Sequence, residues 1–158
     1  MDDFNNLITS LKYSPYFLEK LIENNTPENL KNKKIKDRWS AHEHACHVCV
    51  GEKFGFHKRF LLFQTKESPR IEPLSGANFP KDFYLTMKLD ECLIEFKLLR
   101  EKTIDLITHC SPEFWEKKAF HPEYIKYTPL IMLRHLLMHD YFHFYKIEEL
   151  LLTNDEYL

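Results

Sequence analysis

Apolar residues return every three or four positions along several stretches of this chain, with polar, proline-bearing segments between them. That spacing is the signature of helices with one buried face. Ser14 and Pro15 predict a helix start, because serine caps and proline suits the first helical position. Phe17, Leu18, Leu21 and Ile22 form its apolar face, and the segment from Phe4 to Ile8 reads as a short turn or loose arm. Residues 26–38 are polar and lysine-rich, a connection with one short turn. Ser40 and Glu43 then make a capping box, with Trp39 as the staple before it. This second helix is expected to reach about Gln64, with Ala45, Val48, Cys49, Phe56, Phe60 and Phe63 inward. Gly51 and Gly55 fall inside it, where they either give room for a close neighbour or are simply positions without a side chain.

Residues 65–82 carry three prolines and little periodicity, so they read as a long crossover able to cover one mouth of a bundle. Leu85, Leu89, Cys92, Phe96, Leu99, Thr103, Leu106 and Cys110 then alternate by four and three, a bundle seam that ends before Ser111 and Pro112. A helical turn from Pro112 to Trp115 follows, then an aromatic-rich loop over residues 119–127. Thr128 and Pro129 cap the last helix, which runs to about Leu151 on Leu133, Leu136, Leu137, Phe144, Ile147 and Leu151. The tail from Thr153 to Leu158 reads as frayed.

Composition agrees with an all-α domain. The chain has 158 residues, suited to one domain over residues 1–158, and only three glycines. Lys and Arg number 22 against 24 Asp and Glu, a net charge of −2, which argues against nucleic acid as a partner. No run reaches membrane-spanning length and no apolar leader opens the chain, so a cytoplasmic protein is expected, with Cys46, Cys49, Cys92 and Cys110 reduced. Cys46 and Cys49 sit mid-helix with no strand before them, which speaks for core packing over redox chemistry.

The chemical signal lies in the last helix. His135, His139 and His143 follow one another at intervals of four, so they lie on one side of it. Two imidazoles a turn apart leave ring nitrogens to satisfy, and a divalent metal does so. His47, in the second helix, is the candidate third ligand. His42 and His44 point roughly 140° and 60° away from it around the helix. His44 is a rival at that position, and His135 a rival on the last helix. Asp140 is a candidate to hold an imidazole N–H from behind, as is Glu43, although the capping box already uses Glu43. Glu52 is expected to pair with Arg59 or Arg100. No catalytic acid or base is assigned.

Two blocks resemble the DinB-like, or YfiT-like, metal-binding bundle proteins. The first holds Trp39, Ser40, Glu43, His47, Val48, Glu52 and Arg59; the second holds Thr128, His139, Asp140, His143 and Ile147. Phe96, Arg100, Ser111 through Trp115, and His121 with Pro122 fall in matching order between them. Val48, Ile125 and Lys146 depart from the usual residues. The resemblance implies a four-helix bundle of up-down-down-up order, with a three-histidine metal site at His47, His139 and His143. It implies zinc or nickel, a homodimer, and a small-molecule substrate. It also implies a thiol-dependent S-transferase, with a low-molecular-weight thiol as cosubstrate, or a hydrolase. The competing class is a non-catalytic metal-binding bundle acting as a structural or interaction protein.

Overall fold

The first helix runs farther than its sequence predicts. In the computed structural model, which describes residues 2–73 and 79–153, α1 spans Asp2–Ile22 with Pro15 inside it. Proline lacks the N–H that would bond the carbonyl four residues back, here that of Leu11. Nη1 of Arg100 donates to that carbonyl at 3.2 Å. The interior proline therefore leaves no buried acceptor without a donor. Ile8, Leu11, Leu18 and Ile22 form the buried face, while Phe17, expected inward, is 51% exposed.

Helix α2 (Pro27–Lys31), capped by Thr26, is the short turn expected in the lysine-rich connection. Helix α3 (Ala41–Val50) starts at the expected capping box. The Ser40 N–H donates to Glu43 Oε2 at 2.8 Å, and the Glu43 N–H donates to Ser40 Oγ at 3.3 Å. The rod does not continue as one α-helix. Gly51–Phe56 is a π-helical segment, in which the His57 N–H bonds the Glu52 carbonyl five residues back, before α4 (His57–Thr65) resumes. The wider turn coincides with both glycines, the residues least committed to α-geometry.

In the crossover, residues 74–78 lie outside the described residues, so covering of the mouth by that part does too. Phe83–Thr86 forms one 3₁₀ turn, and α5 (Leu89–Thr108) begins a turn later than the periodicity suggests. Its buried row is Cys92, Phe96, Arg100, Thr103, Ile104 and Ile107, whereas Leu99, Leu106 and Cys110 are half-buried. The seam is displaced because a charged residue, Arg100, occupies its middle.

Helix α6 (Pro112–Glu116) follows as expected. The expected loop after it is a hairpin, β1 (Ala119–His121) with β2 (Tyr124–Tyr127), pairing Ala119 with Tyr127 and His121 with Tyr124. Backbone bonds of 2.9 Å from Phe120 to Pro69 and from Ile71 to Phe120 tie the hairpin to the crossover. Helix α7 (Pro129–Leu152) is capped by Thr128, whose Oγ1 accepts the Ile131 N–H at 3.3 Å. The tail residues 154–158 lie outside the described residues.

Helix α1 packs against α5 and α7, and α3 packs against the same two. The apolar core divides in two along these helices. One cluster holds Leu18, Val48, Phe96 and Ile147; the other holds Leu11, Phe60, Ile104 and Leu133. Each such side chain contributes about 1.5–3 kcal/mol when fully buried. Between them in sequence, on three of the four packed segments, come the buried polar residues Glu52, Arg100 and Asp140. The fold thus has a polar waist, and the histidines lie beside it. Among the described residues no helix is long and apolar enough to cross a membrane.

Candidate metal centre

Two capped helices bring the histidines together. The capping box fixes where α3 begins, and the Thr128 cap fixes α7. His47, His139 and His143 each offer a ring nitrogen, and these three atoms lie within 4.8 Å of one another. Nε2 of His47 and Nε2 of His139 are 3.0 Å apart. Two imidazoles on one divalent ion, with bonds near 2.1 Å, place their nitrogens about 3.0–3.4 Å apart.

The outward nitrogens complete the test of fit. Nδ1 of His47 is 2.9 Å from the Tyr84 hydroxyl. Nδ1 of His143 is 2.8 Å from Nδ1 of His44, which leaves Nε2 as its metal-facing nitrogen. Nδ1 of His139 is buried with no hydrogen-bond partner among the described residues, and 3.7 Å away lies Asp140 Oδ1, likewise unpartnered. One assignment suits all three rings: Nδ1–H outward and an Nε2 lone pair inward. A metal needs that tautomer, and ligand histidines commonly donate their other N–H in this way.

Backbone room matters as much as the caps. A Cβ added at Gly51 would stand 3.0 Å from Cε1 of His139. The expected close approach is therefore real, and the His139 ring occupies it. The ring of Trp39 covers the other side, with centroids 4.8 Å from His47, 5.3 Å from His44 and 6.1 Å from His143. The staple residue is also the apolar wall of the cluster.

Burial keeps His44, His47 and His143 neutral. It lowers His47 to about 3, helped by His139 and His44, and lowers His44 to about 4. It also pushes His143 far below its ordinary value, with His139 and His47 adding to the effect. For Asp140, burial works upward, but the Arg100 guanidinium outweighs it and holds the carboxyl below its usual value. Neutral imidazole is the ligand form.

The other candidates separate clearly. His44 backs His143, so it stands behind the cluster. Asp140 faces His139 from the waist. Glu43 spends Oε2 on the Ser40 N–H and Oε1 on Lys33, 3.2 Å away. His135 turns away from the cluster to the hairpin, with its ring centroid 5.1 Å from Tyr124 and 5.5 Å from Tyr127. Of the two arginines offered to Glu52, Arg100 takes it: Nη2 donates to Oε2 at 2.9 Å. Tyr84 was invisible in the sequence, since it lies in an irregular stretch and reaches His47 only through the crossover's return. His42 holds that return in place, through Nε2 at 3.1 Å from the Tyr84 carbonyl.

The sequence profile of the DinB superfamily matches residues 11–147. The chain belongs to the DinB superfamily. Among solved structures it is similar to YfiT from Bacillus subtilis, with a TM-score of 0.82 and 21% identity, over 92% of this chain and 84% of that one. That protein is described as a probable metal-dependent hydrolase with an unusual four-helix bundle topology. The likeness places this superfamily member in the same fold. No curated protein matches the chain.

Proposed function

We propose that this superfamily member is a divalent-metal-dependent enzyme, with His47, His139 and His143 holding the ion. The observation that carries this reading is the inward set of three imidazole nitrogens within 4.8 Å, each ring tied or faced from behind. Charge supports it. Glu52 and Asp140 share one guanidinium, and the spare oxygen of Asp140 faces His139. A cation held by His139 offsets that excess negative charge.

Three protein ligands leave a position open, the pattern of a catalytic rather than a structural zinc. A cavity of about 200 Å³ opens beside His47 and His139, so small molecules reach that side. When bound, a divalent ion supplies Lewis acidity, polarising a carbonyl and acidifying a water or thiol. The chain's own residues orient the rings, exclude water on the Trp39 side and keep His47 and His143 deprotonated. The reaction we favour is hydrolysis or thiol-dependent S-transfer, with zinc or nickel as the metal and a low-molecular-weight thiol as cosubstrate in the second case. YfiT, a probable metal-dependent hydrolase of the same fold, lends support to the hydrolase branch.

The same reading takes residues 1–158 as one four-helix domain of up-down-down-up order. The neighbours support that order. His44 meets His143 and His47 meets His139, so α3 and α7 run antiparallel; Glu52 meets Arg100 and His57 meets Thr103, so the π-helical segment with α4, which continues α3, runs parallel to α5. A cytoplasmic homodimer is part of the proposal. The exposed rings of Tyr13, Phe17, Tyr141 and Tyr145 on α1 and α7 offer its apolar face.

The test is elemental mass spectrometry on untagged protein beside H47A and H139A. About one metal per chain, absent from both variants while circular dichroism stays helical, supports the site and justifies screening thiols and electrophiles. A wild type that takes up no zinc, nickel, iron or manganese overturns it.

A further inference from the structure

The cavity beside the histidines has a second chemical character of its own. Its far wall is made by α4, the β-hairpin and the first turns of α7, which contribute Arg59, His121, Tyr127 and His135. Arg59 is half-buried. Its Nη2 donates to the Glu72 carbonyl at 2.7 Å, and no carboxylate pairs with it among the described residues. A desolvated guanidinium without a counter-charge is costly unless a ligand supplies one.

His121 points the same way. It is only 7% exposed, and its Nδ1 accepts the Glu123 N–H at 3.1 Å. That bond fixes the tautomer, so the ring's proton sits on Nε2, which has no partner among the described residues. His135 makes ring contacts with Tyr124 and Tyr127 but no hydrogen bond among the described residues, and it lines the same cavity. Among the described residues that line this cavity the one carboxylate, that of Glu123, is on an exposed residue at the rim. Larger grooves, of about 350, 410, 420 and 480 Å³, touch none of the three clustered histidines.

We infer that this wall is an anion subsite, in which Arg59, His121 and His135 hold the carboxylate of a small-molecule acid while its reactive end faces His47 and His139. The inference deepens the metalloenzyme reading and rests on it for the role of the second end. One guanidinium with two neutral N–H donors matches a single carboxylate group, which brings one charge into the subsite whatever the other end of the molecule carries, whereas a phosphate group brings nearly two. At about 200 Å³ the cavity is smaller than the usual ~300 Å³ floor of drug-sized sites, so it admits a short acid or one arm of a larger molecule.

The test is calorimetric titration of the full chain with succinate, its neutral diamide and inorganic phosphate, with metal content measured on the same samples. Succinate is expected to bind at least about tenfold tighter than either control. R59Q should lose about tenfold or more with wild-type metal content, and R59K should recover part of it. Should R59Q fail to fold, H135F replaces a side chain that makes no hydrogen bond, and a loss of about threefold or more is expected. Wild-type succinate affinity in folded R59Q, or in H135F where R59Q does not fold, overturns the inference. So does phosphate binding as tight as succinate, or succinate binding that H139A abolishes and R59Q leaves alone. If the wild type takes up no metal yet binds succinate through Arg59, the metal reading falls and the subsite stands.

Discussion

Two groups of buried polar side chains lie side by side in this bundle, and they are built on opposite principles. In the Arg100 layer, polar atoms close on one another. Nη1 donates to Asp140 Oδ2 at 2.8 Å and to the Leu11 carbonyl, and Nη2 donates to Glu52 Oε2. The Thr103 hydroxyl donates to Glu52 Oε1 at 2.5 Å, so Nδ1–H of His57, 2.8 Å away, is the donor to Thr103. In the histidine cluster, the inner nitrogens face one another and only the outer ones are held. A closed network serves the fold; an open one, in the same interior, leaves room for the cation we propose. Asp140 is the hinge between them, with one oxygen spent on Arg100 and the other turned to His139.

Breaking the closed layer is the largest expected effect. R100M keeps length and bulk but leaves Glu52 and Asp140 buried without a counter-charge, and frees the Leu11 carbonyl. Removing one partner of a buried ion pair costs about 3–5 kcal/mol. For a chain of this size that is a fall in Tm of roughly 10 °C or more, read by thermal denaturation of metal-free protein. Alanine at His47 or His139 should do less to metal-free protein, because it removes a neutral ring and its neutral hydrogen bonds and leaves no buried charge without its counter-charge. Equal destabilisation by R100M and H139A would erase the distinction between the two groups.

Acid separates the groups by pH window. His44, His47 and His143 all have lowered values in the folded chain. The unfolded chain, with ordinary histidines near 6.5, therefore binds more protons below that pH. Their contribution is full above about pH 6.5 and is lost as pH falls toward 4 and then 3. Each proton taken up steepens the decline by at most about 1.4 kcal/mol per pH unit. Asp140 is also lowered, so its contribution persists to lower pH and is lost only below the ordinary carboxylate value. Metal-free wild type should thus weaken in two stages. A variant with glutamine at all three histidines should lose the first stage and keep the second. A single transition below pH 4 in the wild type would contradict the burial of these rings.

How far the sequence foretold this contrast depends on the range of the interactions involved. The capping box at Ser40 and the Thr128 cap are local and were legible, and with them the register that lets His47 meet His139 and His143. The role of Gly51 was half-legible: a glycine in a helix signals a neighbour but not which one. Pro15 misled, because its cost is met by Arg100, eighty-five positions away in the chain. Arg100 was legible as one of two candidate partners for Glu52 but not as part of the seam, since periodicity cannot tell a satisfied buried charge from an exposed one. The hairpin was read as a loop because its register depends on pairing with residues 69–71 of the crossover. Tyr84 carries no local signal at all, because its place follows from how the crossover returns; Arg59 was read as a candidate partner for Glu52, and its contact with the Glu72 carbonyl is long-range.

The smallest and sharpest test concerns Tyr84. Y84F leaves the ring against Trp39, 5.1 Å away between centroids, and keeps the carbonyl that holds His42. It removes only the hydroxyl at Nδ1 of His47. If that hydroxyl merely fills space, metal affinity will be unchanged and stability will shift by less than about 1 kcal/mol. If it fixes the tautomer that turns the Nε2 lone pair inward, metal affinity should fall about tenfold while metal-free stability barely moves. Competitive metal titration beside thermal denaturation reads both numbers. We expect the second outcome, because a rotated or wrongly protonated His47 would place an N–H where His139 already presents Nε2 at 3.0 Å. That arrangement suits a hydrogen bond between the two rings and excludes a metal.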